Sequence, residues 1–199
     1  MNKHFTLRSF CILSSISAIV GVILLGTSFL INPGPPPGLQ AVSPVFIVLF
    51  AFAIVYLSGA TGRLVGWMTF FGASILITVS LIEITFYFCA LFEEPSVMGP
   101  AALDLINSVQ HLYFIVAAPS FFIPLGFVVI GSRVLPKVMG VLAIALGLAF
   151  AILGIVTIYM LVLPVAVTAF ASVQALWWLA AAILLIIRAR HVSYPIGEV

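Results

Sequence analysis

The chain has 199 residues, of which 64% are hydrophobic and only 6% charged, with a formal net charge of +2. Soluble domains carry roughly a quarter charged residues, so this composition excludes a solvated globular surface and places the protein in lipid. The long apolar runs do not alternate, which excludes barrel strands and selects helices of about 20 residues.

The expected architecture is all-α: an integral membrane bundle of six transmembrane helices forming a single domain, with spans at about 10–31, 43–60, 65–92, 103–131, 136–162 and 165–187. The charged start, Lys3 to Arg8, resembles a signal n-region, but the apolar run after it is about 22 residues long. A signal h-region has about 7–15 residues, so the run reads as an uncleaved first span. Asn32 to Gly38, with four prolines, ends it. Gly59 to Arg63 separates the second and third spans, and Glu93 to Pro100 the third and fourth. Gly131-Ser132-Arg133 and Pro136 divide the fourth from the fifth, proline being well placed in a first helical turn. From Val138 to Ile187 there is no charge, and the run is too long for one crossing, so a tight hairpin is expected near Leu163-Pro164.

With six spans, Lys3, Arg8, Arg63, Arg133, Lys137, Arg188 and Arg190 all fall on one side, while Glu93, Glu94 and Asp104 fall on the other. Positive residues gather in short cytoplasmic loops. This predicts a multi-pass protein of the cell membrane with both ends cytoplasmic. The basic residues are dispersed along the chain, with no run of 4–8 for capturing lipid headgroups and no sign of nucleic-acid binding. Cys11 and Cys89 fall near opposite faces, which excludes a disulfide between them.

Glu83 lies about nine residues inside the third span, or roughly 13 Å deep at 1.5 Å per residue. A carboxylate at helix centre costs about 2.5–3.5 kcal/mol on the mildest insertion scale, so the residue should face protein rather than lipid. Ser80 and Tyr87 share its face at i−3 and i+4. In the fourth span Asp104, Asn107, Gln110, His111 and Phe114 follow helical spacing along one face. Counted from the shared outer loop, His111 reaches a depth similar to Glu83, and Gln174 lies about nine residues into the sixth span. Glu83, Gln110, His111, Asn107, Tyr87 and Gln174 therefore form the candidate ligand- or proton-binding set, with Glu83 titrating and His111 as its partner. The alternative is a hydrogen-bond network that fixes helix register, each contact worth about 0.6–2 kcal/mol. One His and one Glu fall short of a metal site, and no cofactor is expected.

Trp177 and Trp178 sit deeper than tryptophan usually does. They could wall a ligand pocket, but packing with one indole towards lipid is the favoured expectation. Pro119 and Pro124 should kink the fourth span. Gly140, Gly147 and Gly154 recur every seven residues and mark a close-packing stripe.

The stretch from Gln110-His111-Leu112-Tyr113 through Gly131-Ser132-Arg133-Val134-Leu135-Pro136-Lys137-Val138-Met139-Gly140-Val141-Leu142 resembles small bacterial multi-pass proteins grouped as a domain of unknown function, in which an early histidine precedes an apolar run and a short basic turn. The resemblance implies a bacterial inner-membrane setting and His111 as a family feature, without an activity. The leading function class is binding or transport of protons or a small solute through a polar pocket in the outer half of the bundle. A structural or accessory subunit, partnered with itself or another membrane protein, is the competing class. A membrane-embedded enzyme using Glu83 and His111 as acid and base ranks third, since no nucleophile or metal set accompanies them.

Overall fold

The computed structural model describes residues 7–30, 37–92, 100–157 and 164–189. Within them the chain is all helix, without strands. Helix α1 runs Leu7–Leu30, α2 Pro37–Leu57, α3 Leu64–Phe92, α4 Pro100–Leu112, α5 Ala118–Ile130, α6 Lys137–Val156 and α7 Pro164–Ala189. A π-helical turn, Tyr113–Ala117, joins α4 to α5, so these three form one continuous span. Among the described residues five segments are long and apolar enough to cross a membrane, and the shorter apolar Val42–Leu57 makes the sixth. Pro164 begins α7, while Leu163 of the expected hairpin lies outside the described residues. The protein is a six-helix membrane bundle.

Each span packs on the one before it, and α7 returns to pack along α1, so the six close into a ring. The outward faces are apolar, as lipid requires: Leu64, Trp67, Phe71 and Leu176 are all well exposed. The inside of the ring is filled with aromatic rings. Phe50, Phe121, Phe122 and Trp178 are fully buried, and Phe150 nearly so. Phe122 of α5 packs against Trp178 and Trp177 of α7 at 5.5 and 5.8 Å and stacks on Phe150 of α6 at 6.2 Å. Both tryptophans are buried, contrary to the expectation that one indole faces lipid. Trp177 donates its indole N–H to the Met139 carbonyl at 3.0 Å, which satisfies the polar atom that otherwise draws tryptophan to the interface.

Lipid offers no hydrophobic drive for helices to associate, so close backbone approach and interhelical hydrogen bonds must supply the attraction. The glycine stripe of α6 shows how. A Cβ on Gly140 would meet the Gly126 carbonyl oxygen at 2.7 Å, and one on Gly126 would meet the Gly140 carbonyl oxygen at 2.6 Å. Further along α6, Gly147 lies against Phe122 and Ile123, and Gly154 against Phe114 and Ile115. Between α1 and α2, Ser17 donates to the Phe46 carbonyl at 2.8 Å and Ser43 to the Gly21 carbonyl at 2.7 Å.

The two prolines of the fourth span are accommodated differently. Pro119 has no N–H and its ring crowds the carbonyl four residues back. The π-helical turn ends just before it, with the Ala118 N–H donating five residues back to the Tyr113 carbonyl. Pro124 lies inside α5 and withholds a donor from the Ser120 carbonyl. Gly72 of α3 sits directly against that carbonyl, where any Cβ would overlap it. The α3 backbone thus covers a group that has lost its helical partner, by a Cα–H contact.

Gly72→Ala and Gly140→Ala are therefore expected to lower stability by about 1–3 kcal/mol, the usual cost of overpacking. Gly26→Ala, where a Cβ meets nothing within 4 Å, should leave it unchanged or slightly raised. Thermal melts of the detergent-purified variants test this, and equal melting temperatures for all three would refute the close-approach account.

Candidate functional site

The end of α4 and the π-helical turn present three polar side chains to three different neighbours. Gln110 faces α3, where its amide Nε2 donates to Glu83 Oε1 at 3.4 Å. Tyr113 faces α7, donating its hydroxyl to Gln174 Oε1 at 2.8 Å. His111 faces the end of α6, with Nε2 2.6 Å from the Thr157 carbonyl oxygen and Nδ1 2.8 Å from the Asn107 carbonyl oxygen of its own helix. Of the sequence-derived set, Gln110 meets Glu83, while His111 and Gln174 bond to the Thr157 carbonyl and the Tyr113 hydroxyl, a different pairing from the expected one. Among the described residues no ion pair joins Glu83 to His111; Gln110 is the carboxyl's partner. Asn107 contributes its backbone carbonyl to His111. The Tyr87 and Asp104 side chains lie outside the described residues.

Tyr113 is the residue that sequence reasoning passed over. A tyrosine early in a span reads as an ordinary interfacial aromatic, and only the tertiary structure reveals its hydroxyl on a glutamine 61 residues away. Gln110 and Tyr113 lie three residues apart on one span, so the Gln110–Glu83 and Tyr113–Gln174 pairs start from neighbouring positions of the same helix. The Tyr113 ring continues into the aromatic core, 5.8 Å from Phe150 and 5.8 Å from Phe114, with both contacts edge-on. Gln174, only 7% exposed, is held at the boundary between the polar cluster and the apolar plug.

The quality of these hydrogen bonds differs. Tyr113–Gln174 and both His111 contacts are short, whereas the one bond to Glu83 among the described residues, at 3.4 Å, is longer than the usual N–H···O distance of about 2.7–3.2 Å. An ionised carboxylate has about four lone-pair sites, and a protonated one adds an O–H donor; within the described residues a single long bond takes up little of that capacity. Both ring nitrogens of His111 face backbone carbonyl oxygens. Thr157 directly follows α6, so His111 reaches a backbone carbonyl at the end of that helix.

Among the described residues no three His, Cys, Asp or Glu side chains gather to hold a metal ion. One buried side-chain polar atom has no partner among them: the indole N–H of Trp178, enclosed by Phe50, Phe121, Phe122 and Trp177. No family model, curated protein or solved structure matches the chain.

His111→Ala and Tyr113→Phe should each lower stability, by about 0.6–2 kcal/mol per interhelical hydrogen bond lost. Tyr113→Phe keeps the ring contacts, so its loss isolates the hydroxyl. Combined with Gln174→Leu it should cost little more than either change alone, because all three variants break the same bond. A fully additive double variant would separate the two residues.

Proposed function

We propose that the chain is a multi-pass protein of a bacterial cytoplasmic membrane that binds protons or a small polar solute at Glu83 and Gln110, in the outer half of the bundle. The observation that carries this reading is the contrast at the cluster: a carboxyl deep in an apolar span whose one hydrogen bond among the described residues is long, beside neighbours whose bonds are short. Intramembrane carboxyls are functional by default, because their insertion is costly. In this reading Glu83 takes up the ligand or proton, and Gln110 orients its carboxyl. His111 and the Tyr113–Gln174 pair hold the surrounding helices in register. The aromatic plug lies below them, so passage of a solute to the other face requires the rings around Phe122 to rearrange, whereas binding at Glu83 does not.

A structural or accessory subunit is the second reading, favoured by the short bonds of His111 and Tyr113, which tie α4 to α6 and α7. The two diverge at Glu83→Gln, which preserves size and an acceptor for Gln110 but removes the ionisable group. Under the proton-binding reading, the melting temperature of the wild type changes between pH 5 and 9, and Glu83→Gln abolishes the change without lowering stability. Were Glu83→Gln as destabilising as His111→Ala, with a flat wild-type profile, the cluster would be a clasp. Persistence of the pH response in Glu83→Gln and its loss in His111→Gln would move the titration to the histidine.

The proposed orientation puts the α2–α3 and α5–α6 turns in the cytoplasm, supported by Arg63, Arg133 and Lys137 there. Lys137 is exposed at the start of α6. In a background with Cys11 and Cys89 replaced, Lys137→Cys should react with a membrane-impermeant maleimide only after the cells are permeabilised. Labelling of intact cells would reverse the orientation.

A further inference from the structure

At the end of the bundle opposite the polar cluster, four chain segments enclose a crevice of about 470 Å³. They are the start of α1, the α2–α3 turn, the α5–α6 turn and the last turns of α7. Among the described residues, all the lysines and arginines lie in these segments or directly beside them: Arg8, Arg63, Arg133, Lys137 and Arg188. The fold thus gathers charges that are dispersed along the sequence.

Two arginines, Arg133 and Arg188, are among the residues that line the crevice. Arg188 donates from Nη1 to the Arg133 backbone carbonyl, a bond across 55 residues that ties the end of α7 to the α5–α6 turn. That bond uses one of the five N–H donors of Arg188 and a neutral backbone acceptor, so it does not itself neutralise either arginine. Among the described residues neither forms an ion pair with an acidic side chain. Ser58 and Ser132 also line the space, but their hydroxyls are committed to the Val55 and Val129 carbonyls. The remaining walls are largely apolar, including Leu7, Leu57, Val134 and Leu185. Two cationic forks above apolar walls match a ligand with an anionic oxygen head and a hydrocarbon body. Basic pockets between membrane helices recognise lipid headgroups on this basis, and arginine is well suited to phosphate through paired N–H bonds.

We propose that this crevice binds the phosphate of an anionic phospholipid, with Arg133 and Arg188 on the phosphate and the glycerol and acyl chains against Leu7, Leu57 and Leu185. The site is independent of the Glu83 cluster and stands or falls separately from the proton-binding reading.

The test uses the full chain purified in a neutral detergent and depleted of lipid, with melting temperature and native mass spectrometry as readouts. Added phosphatidylglycerol should raise the melting temperature and appear as one retained lipid per chain, whereas phosphatidylcholine should do neither. Arg133→Gln should weaken the retention about fivefold, the effect of one basic residue at a lipid surface, and Arg133→Gln with Arg188→Gln should abolish it. Arg133→Gln alone keeps the backbone carbonyl that accepts from Arg188, so it remains informative if the double variant fails to fold. Inorganic phosphate alone should leave the melting temperature unchanged. An equal response to phosphate would mean a site for the free anion and overturn the lipid assignment. Undiminished lipid retention in Arg133→Gln would overturn the role of the arginines. A response that emerges only in Glu198→Gln would show that this carboxylate of the chain itself competes for the crevice, and would equally overturn the proposal.

Discussion

The contact between α5 and its two neighbours sets the terms for the rest of the bundle. Gly126 and Gly140 bring α5 and α6 together until each carbonyl faces the other helix's Cα, and on the opposite side Gly72 brings α3 against the Ser120 carbonyl. Lipid is as apolar as any side chain, so helices gain little from merely hiding hydrocarbon, and dispersion at short range has to hold them. Once α3, α5 and α6 are fixed in this way, the larger side chains between them have defined places. Phe122 and Phe150 stack in the interior, Trp177 finds the Met139 carbonyl, and the end of α6 comes within reach of His111. A larger residue at any of these glycines would separate helices whose hydrogen bonds depend on the spacing.

The interior is divided by this packing into two parts with different chemistry. Aromatic rings from α2, α5, α6 and α7 occupy the middle, and polar groups of α3, α4, α6 and α7 meet at one end of that column through Tyr113. Tyr113 belongs to both parts, with its ring on Phe150 and its hydroxyl on Gln174. A change in the hydrogen bonding of the polar cluster therefore has a direct mechanical route into the aromatic column. The two parts are thereby coupled without a long relay, since the same side chain participates in both.

Hydropathy and turn residues made the helices legible, because lipid leaves few alternatives for an apolar run of 20 residues. Glu83, Gln110, His111 and Gln174 were also legible as polar residues at comparable depth. Their pairing was not, for two physical reasons. Depth counted along a helix fixes height but carries no information about which neighbour a side chain faces. The π-helical turn then adds a residue to one turn, rotating the rest of the span by about 100° relative to an unbroken α-helix, and nothing in the local spacing before Pro119 announces it. The burial of both tryptophans was hidden similarly, since the Met139 carbonyl that accepts from Trp177 lies 38 residues away. Arg133 and Arg188 look like separate topology signals in the sequence and become neighbours only through the tertiary bond between them.

The closure of the ring by α7 against α1 has a consequence for assembly in the membrane. Spans leave the ribosome in order, and α1 is released into lipid while the helix that completes its environment is still unmade. Until then Ser14 and Ser15, buried in the finished bundle, have only their own helix's Cys11 carbonyl to bond, which they both do. That local bonding makes the first span tolerable as a lipid-exposed helix during the wait. These two buried hydroxyls of α1 are thus satisfied from within their own helix and need no partner from α7, which packs against it.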